Sequence, residues 1–322
     1  MSGSSVKSYG SGYAFFVVLV VLFVSCFLTG CGSGDRVIEI DDVIVPLAGN
    51  FVIPVADSPG IMMVSNERVF IDYSYISDGY VTVFFTGESE MMLKVLVTGP
   101  AGNMYIFELQ QDKIEVLPLS EGDGLYTIGV YEHMFDEEFA EVLIVSVDVE
   151  LAYESVPFIR PNQYVSYDRN SIVVDKTVEI TDGVECFFQT IEAVLIYFDE
   201  NVFYDAEIAE SVGYGFLPDI DAVIKYGRGF CFDIAAAAAA MLRCRGIPAQ
   251  LAVGYYNDEQ YGQVYHAWVN VYSEIDGTVG GVVNIEAGRW NVIDPTFVSS
   301  MGIKLAAGVT GDGSDYKVMF IY

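Results

Sequence analysis

Six consecutive alanines, Ala235 to Ala240, stand between a glycine-broken stretch, Tyr226-Gly227-Arg228-Gly229-Phe230, and the stop Gly246-Ile247-Pro248. Alanine is the strongest helix former, while glycine and proline interrupt helices, so the pattern predicts a helix that begins at Cys231 and ends before Gly246. Its small side chains allow neighbouring elements to approach closely and hold it rigidly. Cys231 is thereby placed at a helix N-terminus, where the dipole favours negative charge and lowers the cost of forming a thiolate. Asp233, in the first turn, suits the same dipole but opposes a neighbouring thiolate, and is expected as a cap or local brace. Cys244 lies about 220° around the helix from Cys231 at roughly 100° per residue, so it faces away and is expected in the core.

Three strands follow. Ala249 to Tyr256 is β-rich, Val264 to Tyr272 places His266, Trp268, Asn270 and Tyr272 on one face by its period of two, and Arg289 to Ile293 ends in Asp294-Pro295-Thr296. A histidine near the start of one strand and an aspartate at the end of the next can meet across an antiparallel pair. The carboxylate would then fix the imidazole tautomer while the other ring nitrogen faces a thiol. Trp268 and Trp290 are expected as packing residues. Before the alanine helix, Val184, Phe187, Phe188, Ile191, Val194, Leu195, Phe198 and Val202 recur at three and four residues and predict one amphipathic helix. Cys186 falls within that stretch and is expected in the core, with a disulfide to Cys244 left open.

The earlier sequence has a different texture. From Val37 to about Leu151, short β-rich runs alternate with turns, as in Tyr80 to Phe85, Leu93 to Val97, Met104 to Leu109, Tyr126 to Tyr131 and Glu141 to Val149. Thr98-Gly99-Pro100-Ala101-Gly102-Asn103 is a hairpin signal between two of them. Strands at this spacing, without helical periodicity, predict an antiparallel sandwich. His133, surrounded by Glu132, Asp136, Glu137 and Glu138, matches no metal loop and is expected in a solvated turn. Pro157 and Pro161 mark the connection between the two textures.

Ala14 to Thr29 is an uncharged, mostly apolar run behind Lys7, of signal-peptide length and short of the about 20 residues needed to span a bilayer. Leu28-Thr29-Gly30-Cys31 at its end resembles the lipobox of bacterial lipoproteins, which implies lipidation of Cys31 and a flexible tether at Gly32-Ser33-Gly34. An uncleaved membrane anchor is the alternative. Either reading puts the remainder outside the cytoplasm. The 45 acidic against 15 basic residues give a net charge of -30, a field that repels nucleic acid and excludes it as a partner. Five scattered cysteines without a CxxC pair indicate neither a disulfide scaffold nor a zinc site.

The segments GRGFCFD, GIPAQLAVGYY, YHAWVNVY and RWNVIDPT, in that order, resemble the core of the transglutaminase-like superfamily, a papain-related fold. The resemblance covers roughly residues 165 to 300. It implies an α+β architecture in which the sandwich precedes a papain-like core, with leading helices and a central helix on an antiparallel sheet. It also implies Cys231 as nucleophile, His266 as base and Asp294 as orienting acid. The expected plan is a lipoprotein signal peptide over 1–30, a tether over 31–36, a sandwich over 37–155, a linker over 156–164 and the transglutaminase-like unit over 165–322. The implied chemistry is acyl transfer from a protein or peptide amide at the cell surface, through a thioester, to an amine or water. The backbone N–H of Cys231 is the natural oxyanion donor, and no second donor can be read from the residues. A cysteine peptidase or amidase of the same fold, or a non-catalytic surface binding protein using the sandwich, are the alternatives. No metal or cofactor is expected.

Overall fold

The computed structural model describes residues 56–135, 138–184, 186–213 and 215–322. Cys31, the signal segment, the tether and the first residues of the expected sandwich lie outside the described residues.

The N-terminal half is two four-stranded antiparallel sheets. One has the order β1 (Met63–Ser65), β2 (Val69–Asp72), β3 (Tyr80–Phe85), then β6 (Ile114–Pro118). The other has the order β5 (Met104–Glu108), β4 (Leu93–Thr98), β7 (Gly124–Phe135), β8 (Glu138–Val149). Alternation decides which face is buried: Leu93, Val95 and Val97 are enclosed while Lys94, Leu96 and Thr98 are half-buried. The Gly99–Asn103 turn closes the β4–β5 hairpin, and Gly102 adopts φ +86°, a conformation that costs glycine little. His133 is not in a solvated turn. It lies within β7, opposite Phe139 of β8, because the pairing of these two 12-residue strands continues beyond it to Phe135 and Glu138.

The second half mixes helix and strand. It runs α1 (Ile172–Ile180), α2 (Phe187–Asn201), β9 (Phe203–Tyr204), α3 (Ala206–Ser211), α4 (Ile220–Tyr226), β10 (Arg228–Gly229) and α5 (Cys231–Cys244). Then come β11 (Ala249–Asp258), β12 (Gly262–Ser273), β13 (Gly277–Val279), β14 (Val283–Ile285), β15 (Arg289–Ile293), α6 (Pro295–Met301), α7 (Ile303–Thr310) and β16 (Tyr316–Ile321). The main sheet has the antiparallel order β15-β12-β11-β16, so the last strand of the chain crosses back to pair with β11. The alanine helix α5 packs on β11 and β12 and also against α1, α2, α4 and α6; all six alanines are fully buried. Cys186 caps the start of α2, and Cys186, Cys231 and Cys244 are all free thiols, so no bond joins Cys186 to Cys244.

The proline-bearing connection is packed rather than exposed. Pro157 and Phe158 are buried in a short 3-10 turn, and Asn162, Gln163 and Val165 are also buried. Tyr164 and Tyr322 lie with ring centroids 4.1 Å apart, and Tyr105 and Phe107 of edge strand β5 meet Tyr322 edge-on. The fully buried Arg243 donates to three carbonyls, of Ala249 at 2.8 Å, Arg160 at 2.7 Å and Tyr322 at 2.6 Å. It thus ties α5, the connection and the C-terminus together, and burial pulls its pKa down to about 10. Among the described residues no helix is long and apolar enough to cross a membrane.

Candidate active site

Cys231 is the first residue of α5, with Phe230 before it in extended conformation. The leading N–H groups of a helix have no acceptor within the helix, so positive potential gathers where the thiol sits. Gly229 permits the close approach there: a Cβ on it would lie 2.9 Å from the Cβ of Asp233. Phe230 packs against Phe216, and Phe232 against Tyr164, which leaves Cys231 only 7% exposed behind an aromatic wall.

His266 lies on β12 opposite Gly254 of β11. Asp294 directly follows β15, whose Ile293 pairs with Val269, so Asp294 falls opposite Trp268 and diagonal to His266 on the same face. Side chains of this length bridge such a diagonal, and His266 Nε2 is 2.6 Å from Asp294 Oδ2. With Nε2 committed to the carboxylate, Nδ1 is left for the Cys231 thiol, which is also a hydrogen-bond partner of the ring. Burial works against the imidazolium and is the largest single influence on it. Asp294 and Cys231 together outweigh burial, so the His266 pKa is raised and the charged ring is favoured. Phe297 stacks on the imidazole at 5.2 Å and Trp268 lies nearly parallel to it at 6.2 Å, which restrict its rotation.

Asp294 has four donors. Thr296 and Phe297 N–H groups both donate to Oδ1 at 3.0 Å, making Asp294 the N-cap of α6, while His266 and the Tyr316 hydroxyl at 2.9 Å share Oδ2. One oxygen thus anchors the carboxylate to the backbone and the other faces the ring. Tyr316 was not legible as a site residue: it sits on β16, and no local pattern connects that strand to Asp294. Its approach depends on Gly254, where an added Cβ would lie 2.0 Å from the carbonyl oxygen of Lys317. Burial and the Asp294 charge push the Tyr316 phenol well above its ordinary pKa, so it remains a donor.

Asp233 braces the loop as expected, accepting a long bond from Phe230 N–H at 3.5 Å and another from the backbone of Asp219. Its consequence was not foreseen: burial pushes its carboxyl up to about 7. Trp268 is fully buried, with Nε1 donating to Asn270, which in turn donates to Gln250. Trp290 packs edge-on against Phe158 and donates to Glu154. Both tryptophans therefore act as packing residues with satisfied indoles. Among the described residues no cluster of three or more His, Cys, Asp or Glu could hold a metal ion.

The arrangement can carry out thiol chemistry: a sulfur at a helix N-terminus, a base beside it and a carboxylate that fixes the base. Residues 175–295, which include all three side chains, match the model of the transglutaminase-like superfamily. No curated protein sequence matches the chain. Among solved structures, the periplasmic domain of TgpA from Pseudomonas aeruginosa is 15% identical, covering 74% of this chain and 98% of that one at a TM-score of 0.32. A transglutaminase from red sea bream is 12% identical, covering 67% of this chain and 48% of that one at a TM-score of 0.27. The segment 175–295, which holds Cys231, His266 and Asp294, is thus similar to the core of the transglutaminase-like superfamily.

Proposed function

We propose that this protein is a Cys231–His266–Asp294 thiol enzyme that transfers an acyl group from a protein or peptide amide to an amine or to water. The observation that carries the reading is the chain of contacts from Asp294 through both ring nitrogens of His266 to Cys231 at the start of α5. Cys231 adds to the amide carbonyl, and the proton that left the thiol moves from His266 to the departing amine as the C–N bond breaks, leaving a thioester. The acceptor then attacks the thioester carbonyl, His266 takes its proton, and the thiolate leaves. An amine acceptor yields a crosslink or amide exchange; water yields deamidation or cleavage.

The lipobox-like Leu28-Thr29-Gly30-Cys31 and the apolar run before it support an extracytoplasmic site of action, with lipidated Cys31 holding the enzyme at the membrane surface. The test is incubation with a glutamine-containing peptide library, with and without a primary amine, followed by mass analysis. Wild type should add the amine, or leave the mass change of deamidation or cleavage, and folded Cys231→Ala should do none of these. Equal turnover by Cys231→Ala would sink the proposal in favour of a binding role for the sandwich.

A further inference from the structure

Single exposed apolar side chains are ordinary on a protein surface, but several on adjoining strand ends form a patch that calls for a partner. Met91 and Met92 lead into β4, and Met134 and Phe135 end the neighbouring β7; all four are 41–59% exposed. The two pairs stand side by side, because His133 N–H donates to the Met92 carbonyl at 2.8 Å, one step beyond the pairing of Leu93 with Glu132. Neighbouring strands lie about 4.8 Å apart, so the four side chains share one end of the sheet. Methionine is flexible and polarizable, which suits a surface that accepts apolar groups of varied shape.

The charges around the patch select the partner. The cations at this end of the sandwich are held: Arg68 by Glu132 at 2.7 Å, Lys113 by Glu115 at 3.0 Å, and Lys94 over the ring of Phe139. Glu88 and Glu90, just before the methionines, and Glu138, opposite Phe135, are exposed and have no cation partner among the described residues. The result is an apolar patch with an uncompensated acidic rim, in a chain of net charge -30. Such a surface attracts cations and repels both a second copy of itself and anionic lipid. The patch also lies at the end of the sheet that reaches the nucleophile. Leu109, just after β5, donates to the Leu93 carbonyl at 3.0 Å, and Glu108 of β5 pairs with Lys94. Glu108 borders Gly215, on which a Cβ would come 3.2 Å from its Oε1. The next residue, Phe216, packs on Phe230 at 5.2 Å, directly before Cys231.

We propose that this patch docks a cationic, amphipathic segment of a protein substrate, its apolar side chains on Met91, Met92, Met134 and Phe135 and its lysines or arginines on Glu88, Glu90 and Glu138. The substrate role rests on the acyl-transfer reading above and deepens it. The patch stands one to two strand spacings, about 5–10 Å, from β5, so a segment held there brings the adjoining stretch of its own chain to the loop around Cys231. Docking away from the reacting amide raises the local concentration of that amide and selects substrates by a segment that the reaction leaves unchanged.

The probe is a synthetic amphipathic peptide of leucine and lysine, matched by one with glutamate in place of every lysine, each titrated with the full-length protein by fluorescence anisotropy. The leucine–lysine peptide should bind roughly tenfold or more tightly than its match, with affinity falling as salt rises. Met92→Ser with Phe135→Ser should weaken binding by roughly tenfold or more. Glu88→Gln with Glu90→Gln and Glu138→Gln should flatten the salt dependence. Iodoacetamide alkylation of Cys231 should stay as in wild type in both variants. Joining a glutamine donor sequence to the leucine–lysine peptide should lower KM against the free donor, and the Met92 and Phe135 variant should lose that gain with kcat unchanged. Equal binding of the two peptides, or full affinity in both variants, overturns the proposal. A donor that turns over with no gain in KM on joining also overturns it and leaves the acyl-transfer reading intact, whereas binding without turnover of any donor overturns both. p-Benzoylphenylalanine placed at Met92 identifies the occupant on irradiation with the peptide present. Crosslinks to the peptide support the proposal; crosslinks instead to a second copy, to lipid or to residues 37–55 of the same chain overturn it.

Discussion

The two halves of the molecule bury different chemistry. Inside the sandwich the enclosed side chains are overwhelmingly Val, Ile, Leu, Phe and Tyr, with Asp72, Thr82, Glu115 and Ser120 the buried polar exceptions among the described residues of that half. In the second half Asp233, Arg243, His266, Asn270, Asp294 and Thr296 all lie buried. Burying polar and charged groups is costly unless each finds a partner, and burying apolar area is favourable by itself. The sandwich therefore follows the cheapest route to a core, whereas the second half carries a polar network whose arrangement is useful to chemistry. That contrast predicts that mutations in the two halves separate stability from reactivity.

Short of removing the nucleophile Cys231 or its base His266, the largest effect on reactivity should come from Asp294→Asn. The amide oxygen can still accept from Thr296 and Phe297, so the cap on α6 survives, while the amide nitrogen cannot accept from His266 or Tyr316. Thioester formation should fall by tens to thousands-fold, less than the roughly 10⁴-fold of the equivalent change in a serine triad, with circular dichroism unchanged. An Asp294→Asn protein as fast as wild type would erase the distinction between the halves.

The matching change in the sandwich is Ile128→Ala, at a fully buried position of β7. It should lower unfolding free energy by about 2–5 kcal/mol in denaturant titration, through lost transfer energy and the cavity left behind. Acylation of Cys231 in the folded protein should stay within about twofold, since a core cavity removes no partner from the reacting groups. A large loss of rate would show that the packed junction around Tyr105, Phe107 and Tyr322 couples the halves.

Asp233 sharpens the comparison through pH. Its carboxyl titrates at about 7 in the folded protein, against 3.8 for the ordinary group. Below the lower value both states are protonated and the fold keeps its full stability. Between the two values the native state holds a proton that the unfolded chain has released, so stability falls as pH rises through that window. Asp233→Asn keeps the acceptor for Phe230 and removes the charge. Its unfolding free energy should decline less than that of wild type from pH 4 to pH 7.5, by on the order of a few kcal/mol, in urea titrations at each pH. Parallel curves for the two proteins would mean that the carboxylate is not enclosed.

The smallest expected effect is that of Tyr316→Phe. Losing one donor to a buried carboxylate should slow thioester formation by about tenfold, since hydrogen bonds to charged groups contribute about 1.5–3 kcal/mol and His266 and the two backbone donors remain. The alkaline limb of the rate profile should move to higher pH, because a less shared carboxylate holds the His266 proton more tightly. A shift to lower pH would assign Tyr316 a different role.

Much of the second half was legible in the chain because its signals are local. The alanine run with its glycine and proline borders marked α5 and put Cys231 at its start, and the strand patterns put His266 near the start of one strand and Asp294 at the end of the next, where an antiparallel pair lets them meet. These are readings of 3.6 and 2 residue periods, set by backbone geometry over a few residues. What only the tertiary structure decided are the contacts made by strand order and by the junction. β16 pairs with β11 and so delivers Tyr316 to Asp294, and Arg243 finds acceptors on Arg160 and Tyr322, 83 and 79 residues away in sequence. β9 lies beside β10 next to the Cys231 loop, and the enclosure of Asp233 lifts its carboxyl. Each depends on which edge strand a distant segment chooses and on how completely water is excluded there. Both are set by the sum of packing across the whole core, which no short window of residues encodes.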